Sequence, residues 1–122
     1  MSYRNINFGK SAEKYALDFL KGKGYKILRQ NYRNKLGEID IIAQEKEVIC
    51  FIEVKARSSD KFGLPEEAIN ANKQKKIARI ALSYLKEHKL MDRKARFDAL
   101  CISGNENRLV KDAFELGGEY VV

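Results

Sequence analysis

Residues 37–57 read GEIDIIAQEKEVICFIEVKAR. Two apolar runs, Gly37 to Ala43 and Val48 to Ala56, flank the polar stretch Gln44 to Glu47. That pattern predicts two strands joined by a short turn. In the second run Val48, Cys50, Ile52 and Val54 alternate with Ile49, Phe51, Glu53 and Lys55. Side chains along a strand point to opposite faces in turn, so both faces are mostly apolar and the strand belongs inside a sheet. The same alternation puts Ile39 and Ile41 on one face of the first run, and Asp40 and Ile42 on the other. Charges in such a setting need a reason, because an unpaired carboxylate is costly to bury.

Outward from this hairpin, Ala12, Tyr15, Ala16, Phe19 and Leu20 follow helical spacing and predict a helix over 7–22. Asn7 or Ser11 suits its start, and Gly22 and Gly24 its end. YKILRQNYR (25–33) has strand character. After a loop at 57–64, Pro65 suits the first turn of a second helix, with Glu66 and Glu67 near the positive end of its dipole. This helix is expected to run to about Lys89 and to bury Ile77, Ala78, Ala81, Tyr84 and Leu85. RFDALCIS (96–103) is a further strand, 104–107 a turn, and LVKDAFEL a last strand or a short helix. The order αβββαβ predicts an α/β chain with one mixed β-sheet flanked by helices.

The chain has 122 residues, enough for a single domain over 1–122 whose core needs no disulfide or metal staple. Apolar residues make up 44% and charged residues 34%, a globular balance. No apolar run approaches the ~20 residues that span a bilayer. MSYRNINFGKSAEKY at the N-terminus lacks an apolar signal region. Cys50 and Cys101 lie in apolar strand-like runs and read as buried reduced thiols. Together these features predict a cytoplasmic protein without membrane partners. A single histidine, His88, excludes a His-based metal centre; near a helix end among Lys86, Glu87 and Lys89 it reads as solvated. There is no P-loop, Gly-rich dinucleotide turn or CxxC pair.

The net charge of +7 is unevenly spread. Residues 1–35 carry +7, 36–72 carry −4, 73–96 carry +7 and 97–122 carry −3. Two basic blocks around an acidic middle suit a polyanion partner, most naturally nucleic acid. The alternative is that Lys-rich helices are merely solvated. The acidic middle, which a purely electrostatic binder would not want, favours the first reading.

If the turn centres on Lys46 and Glu47, Asp40 falls opposite Glu53, with Cβ atoms about 5 Å apart. Like charges so placed destabilise a sheet. A divalent cation such as Mg²⁺ or Mn²⁺ relieves this, since two hard oxygen ligands at that spacing can share one ion. Lys55, two residues from Glu53 on the same face, adds a positive donor. It could orient or deprotonate a water or offset charge on a phosphoryl oxygen. Two carboxylates and a lysine around a metal suit phosphodiester hydrolysis. The alternative is that Lys55 simply pairs with Glu53 or Asp40 at a strand end.

Three further features bear on the choice. Glu13 borders the apolar stripe of the first helix and is either a surface charge or a third carboxylate reaching over the sheet. Gln74 falls on the buried stripe of the second helix, where its amide needs partners: a phosphate, a water or a backbone carbonyl. Lys73, Lys75, Lys76 and Arg79 crowd the first half of that helix and could line a phosphate-tracking groove. Glu38 shares a face with Asp40 and reads as a salt-bridge partner of the basic helices. Asp98 reads as a structural charge pair with Arg96.

Across nearly its whole length the chain resembles the YraN-like family of small bacterial proteins, predicted endonucleases with a restriction-endonuclease-like fold. The resemblance rests on the order and spacing of several motifs: G-x-x-A-E (Gly9, Ala12, Glu13), G-Y-x-I-L (Gly24 to Leu28), N-Y-R (Asn31 to Arg33) and G-E-I-D-x-I-A (Gly37 to Ala43). It continues through E-V-K-x-R (Glu53 to Arg57), F-G-x-P (Phe62 to Pro65), K-Q (Lys73, Gln74) and R-F-D (Arg96 to Asp98). The wider PD-(D/E)xK superfamily includes archaeal Holliday-junction resolvases. The resemblance implies a three-layer core and a metal-dependent nuclease acting on DNA, branched recombination intermediates among its substrates. It makes Asp40 and Glu53 metal ligands, with Glu13 as the helix carboxylate and the Val54 carbonyl as a further ligand. Lys55 then handles the water and Gln74 supports it. Arg33 and Arg57, with the helix lysines and Arg79, are expected on the nucleic-acid side. A non-catalytic nucleic-acid-binding module of the same fold is the alternative, and a structural protein with incidental basic helices a weaker one. Junction-cutting relatives are often dimers, and a face around Ile102, Leu109 and Phe114 is the candidate contact.

Overall fold

The computed structural model describes residues 6–56, 70–103 and 107–114, with side chains from residue 12 onward. Its elements run α1 (Ile6–Gly22), β1 (Lys26–Asn34), β2 (Gly37–Glu45), β3 (Val48–Ala56), α2 (Ala71–Glu87), β4 (Ala95–Ile102) and β5 (Asn107–Phe114). The five strands form one sheet in the order β1-β2-β3-β4-β5. β1, β2 and β3 are an antiparallel meander, β3 and β4 are parallel, and β5 returns antiparallel to β4. The parallel step needs a crossover, and α2 lies within it. The chain is thus mixed α/β, a five-stranded sheet between two helices.

Each helix covers one face. On the α1 side Ala16 and Leu20 pack with Tyr25, Ile41, Cys50, Ile52, Val54 and Leu100. On the α2 side Ile77, Ile80, Ala81 and Tyr84 pack with Ile39, Ile42, Ile49, Phe51 and Phe97. The alternation read along β3 therefore holds, with even-numbered residues toward α1 and Ile49 and Phe51 toward α2. In β2 it does not. Ile41 and Ala43 face α1, but Ile39 joins Ile42 on the α2 side. Ile39 and Ile42 are three apart, so the two-residue period slips once between them, at Asp40 or beside it. Asn31, opposite Asp40 in the β1–β2 register, has a positive φ of 53°. The irregularity thus runs across both strands.

The ends of α1 and α2 follow local chemistry. Gly24, at φ +97°, turns the chain after α1, where the Tyr25 N–H returns to the Leu20 carbonyl; this is the left-handed step glycine takes most easily. Asn70 caps α2: it is extended (φ −77°, ψ 174°), and its side chain accepts from the Lys73 N–H. An extended residue cannot lie inside a helix, so α2 starts at Ala71 rather than Pro65. Pro65, Glu66, Glu67, the loop 57–64 and Arg57 lie outside the described residues. At its other end α2 stops at Glu87, and His88 stacks on Tyr84 at a ring distance of 4.1 Å.

LVKDAFEL resolves to strand in its described part, β5. Of the candidate dimer face, Ile102 and Leu109 are half-buried against the α1-side core, whereas Phe114 stacks on Phe97 on the α2 side. Lying on opposite faces of the sheet, the three do not form one patch. Both cysteines are buried and neither forms a disulfide, and among the described residues no helix is long and apolar enough to cross a membrane.

Candidate functional site

Two aspartates are buried in the sheet, and each sits at an interruption of a ladder. Asp98 on β4 lies where the β4–β5 register shifts, and Asp112 opposite it has φ 56°. The Asp98 carboxylate takes the stranded Asp112 N–H at 2.9 Å, the Arg96 Nε at 2.9 and 3.2 Å, and the Tyr25 hydroxyl at 2.9 Å. Arg96 also donates to Glu45 at 2.6 Å, and Glu45 accepts from Lys111 at 2.9 Å. This network joins β2, β4 and β5 and the turn after α1, and it pairs the buried charge. The structural reading of Asp98 and Arg96 holds; Tyr25, Glu45 and Lys111 come from other elements and carry no local sequence signal.

Asp40 is different. The described β2–β3 ladder ends at Ile41 opposite Ile52, and the same register carried one step further sets Asp40 against Glu53. There the Asp40 side chain takes over from the backbone, accepting the Val54 N–H at 2.8 Å. Among the described residues it accepts no other hydrogen bond. Glu53 returns a longer contact, its Oε2 accepting from the Asp40 N–H at 3.5 Å. Both acids are buried, at 9% and 5% exposure. Burial and the adjacent Glu53 charge push the Asp40 carboxyl up to about 7, against the opposing Val54 hydrogen bond and Lys73 charge.

The compensating charge comes from α2. Lys73 Nζ lies 3.2 Å from Glu53 Oε1. Lys73 is in the first turn of the helix, its backbone N–H held by the Asn70 cap. Lys55 lies beside Lys73, and burial together with that neighbouring amine draws its own amine down to about 8. Burial also works against the charge on Lys73, but the neighbouring Lys55 amine and the Glu53 and Asp40 carboxyls outweigh it and raise its affinity for the proton. A cavity of about 420 Å³ opens here, lined by Glu38, Asp40, Glu53, Asn72, Lys73, Lys76 and Ile77. Gly37 allows α2 to come close: a Cβ there would lie 2.8 Å from Lys76 Cε.

The structure thus brings together Asp40, Glu53, Lys55 and Lys73, with the Val54 backbone against Asp40. Glu13 is not part of this group. It sits on α1, the helix packed on the other face, and accepts from Asn31 at 3.4 Å. Among the described residues no three His, Cys, Asp or Glu side chains form a group that could hold a metal ion. Gln74 is half-buried beside Lys73 on the stripe continued by Ile77 and Ala78, but is not among the residues lining the cavity. Glu38 pairs not with a basic helix but with Arg33 on the neighbouring strand, at 3.3 Å. Lys76 lines the cavity, while Lys75 and Arg79, four apart, share an exposed stripe of α2. The one role that charge counting missed is that of Lys73, which contacts the acid pair itself. The Asn70 cap three residues earlier was the available signal for where its helix begins.

Fold and site define a small α/β protein with a buried acid pair and two lysines at the head of a helix. A family model described as "Uncharacterised protein family UPF0102" matches residues 12–102, and the chain belongs to that family. Similar relatives, each called a UPF0102 protein, occur in Syntrophus aciditrophicus (47% identical, over 93% of this chain and 92% of the relative) and Desulfosudis oleivorans (44%, over 88% and 89%). A third, in Thermodesulfovibrio yellowstonii, is 46% identical over 89% of this chain and 96% of its own.

Proposed function

We propose that the protein is a divalent-metal-dependent endonuclease of restriction-endonuclease-like type that cuts DNA, with branched DNA a candidate substrate. The observation that carries this reading is the pairing of Asp40 and Glu53, two buried carboxylates side by side and open to a cavity with basic walls. Two carboxylates buried this close repel, and a bound cation relieves that cost. The donor set suits Mg²⁺ or Mn²⁺, which keep several waters and need only one or two carboxylates from the protein. Asp40, Glu53 and the Val54 carbonyl would hold the ion. Glu13, the helix carboxylate that the resemblance adds to this set, accepts from Asn31 on the α1 side.

When bound, the ion would polarise the scissile phosphate and acidify the attacking water. Lys55 is the residue to take up or orient that water's proton, since its amine is held near 8 and is partly neutral at cellular pH. Lys76 on the cavity wall, and Lys75, Arg79 and Arg33 outside it, would meet backbone phosphates, so recognition would be of shape more than sequence. Gln74 would steady the water or the phosphate from the same helix.

One observation favours a second reading, a DNA-binding module without catalysis. Lys73 already neutralises Glu53, so the acid pair is tolerable with no metal. Incubating the protein with branched, flapped and linear DNA, in Mg²⁺, Mn²⁺ or EDTA, separates the two. The nuclease reading expects metal-dependent cleavage that Asp40→Ala abolishes. Binding without cleavage in any metal leaves only the second reading.

A further inference from the structure

Lys73 stands on the acid pair, where a divalent ion would also be drawn. Its Nζ is 3.2 Å from Glu53 Oε1, and its side chain keeps 31% of its surface exposed while that of Glu53 keeps 7%. The ammonium therefore reaches the buried acids from the solvent side. Its backbone is pinned by Asn70, yet four methylene groups separate that anchor from the charge. The ammonium can leave without disturbing the helix or the sheet.

Charge balance says that it must leave when a metal enters. Asp40 and Glu53 together supply two negative charges, and a divalent ion cancels both. Lys73 would then remain a few ångströms from the ion with no anion of its own and with Lys55 as a second amine beside it. Like charges that close in a poorly solvated pocket repel strongly.

We propose that Lys73 is a built-in counter-cation of the acid pair, and that a divalent metal enters only by displacing it from Glu53. Metal and ammonium compete for the same carboxylates, so the metal-free protein is stable at the expense of metal affinity. Displaced toward the cavity mouth, Lys73 becomes available to a phosphate oxygen, so filling the metal site also completes the basic wall. The proposal rests on the metal-binding reading of Asp40 and Glu53, and its test separates the two.

The test titrates Mn²⁺ alone into the full chain, followed by electron paramagnetic resonance and calorimetry, for wild type, Lys73→Gln, Lys73→Arg and Asp40→Asn. Lys73→Gln is expected to bind Mn²⁺ about tenfold or more tightly than wild type, because the competitor is gone. Lys73→Arg keeps a cation at Glu53 and should bind no more tightly than wild type. In EDTA Lys73→Gln should melt below wild type, and Mn²⁺ should raise its melting temperature by the larger amount. A purely structural lysine would lower the melting temperature equally with and without metal. Equal or weaker Mn²⁺ binding by Lys73→Gln, with wild type binding and Asp40→Asn not, overturns the displacement proposal alone. If neither wild type nor Lys73→Gln binds Mn²⁺, the metal-binding reading falls and takes this proposal with it.

Discussion

The Asp40 carboxylate receives the Val54 N–H at 2.8 Å and so continues the join between β2 and β3 just beyond the last ladder pair. A side chain that does the work of a backbone carbonyl is held rigidly, and here it is held beside a second acid. This contact converts a sheet irregularity into a fixed pair of carboxylates, and it makes the pair's charge state measurable.

Burial and the Glu53 charge push the Asp40 carboxyl up to about 7 in the folded chain, from about 3.8 when it is freely solvated. Between those values the folded state holds a proton that the unfolded state has lost. Stability should therefore fall as pH rises through this window, by up to about 4 kcal/mol, an upper bound set by the roughly 1.4 kcal/mol per pH unit of linkage. Urea denaturation in EDTA at pH 5 and pH 8 checks this. Wild type should lose stability across the interval and Asp40→Asn should lose much less, while Mg²⁺ or Mn²⁺ at pH 8 should restore the wild type.

Lys55→Gln should lower cleavage by about 10² to 10⁴, the usual range for losing a proton-handling group. Mn²⁺ affinity should change far less than in Asp40→Asn. Single-turnover kinetics beside a Mn²⁺ titration separates the two effects; equal cleavage by wild type and Lys55→Gln would remove Lys55 from the reaction.

The strand pairing was legible because the turn between β2 and β3 is short and both strands are strongly apolar. Centring that turn on Lys46 and Glu47 sets Asp40 against Glu53, and the observed ladder carried one step past Ile41 and Ile52 keeps that register. The broken period around Asp40 was not legible. Ile39 and Ile41 are chemically alike, and only docking against Ile77 and Ile80 shows that they point to different helices. Lys73 was equally hidden. In sequence it is one of several lysines on a basic helix, and its meeting with Glu53 depends on how close α2 lies to the sheet. For Glu13, helical spacing gives its place on α1 but not which face of the sheet that helix covers.

Asp98 is satisfied by Arg96, Tyr25 and a backbone N–H, so removing a partner strands a buried charge. Arg96→Leu should cost about 3–5 kcal/mol, and Tyr25→Phe about 1 kcal/mol for one lost hydrogen bond. Chemical denaturation measures both. Neither change should alter Mn²⁺ binding in protein that remains folded, because this network involves none of the metal-site residues.

Gly37 combines φ +145° with contact to α2, where an added Cβ would lie 2.8 Å from Lys76 Cε and 3.0 Å from Ile80 Cδ1. Lys76 can swing away, but the backbone conformation and Ile80 cannot adjust cheaply. Gly37→Ala should destabilise by roughly 1–3 kcal/mol. It should also weaken DNA binding through the displaced Lys76, which a fluorescence-polarisation titration at fixed salt would read.

The one parallel seam of the sheet, between β3 and β4, has a consequence for how the molecule is built. The three-stranded meander can close through contacts near in sequence, whereas β4 and α2 arrive only after a long crossover has ordered. Pulse-labelled hydrogen exchange during refolding should therefore protect β2 and β3 before α2. Until that helix docks, Asp40 and Glu53 face water and are hydrated rather than desolvated. The nascent chain thus carries its acids in their ordinary, inexpensive state, and their mutual repulsion becomes costly only in the last stage of assembly, when Lys73 arrives on the same helix that shuts the water out.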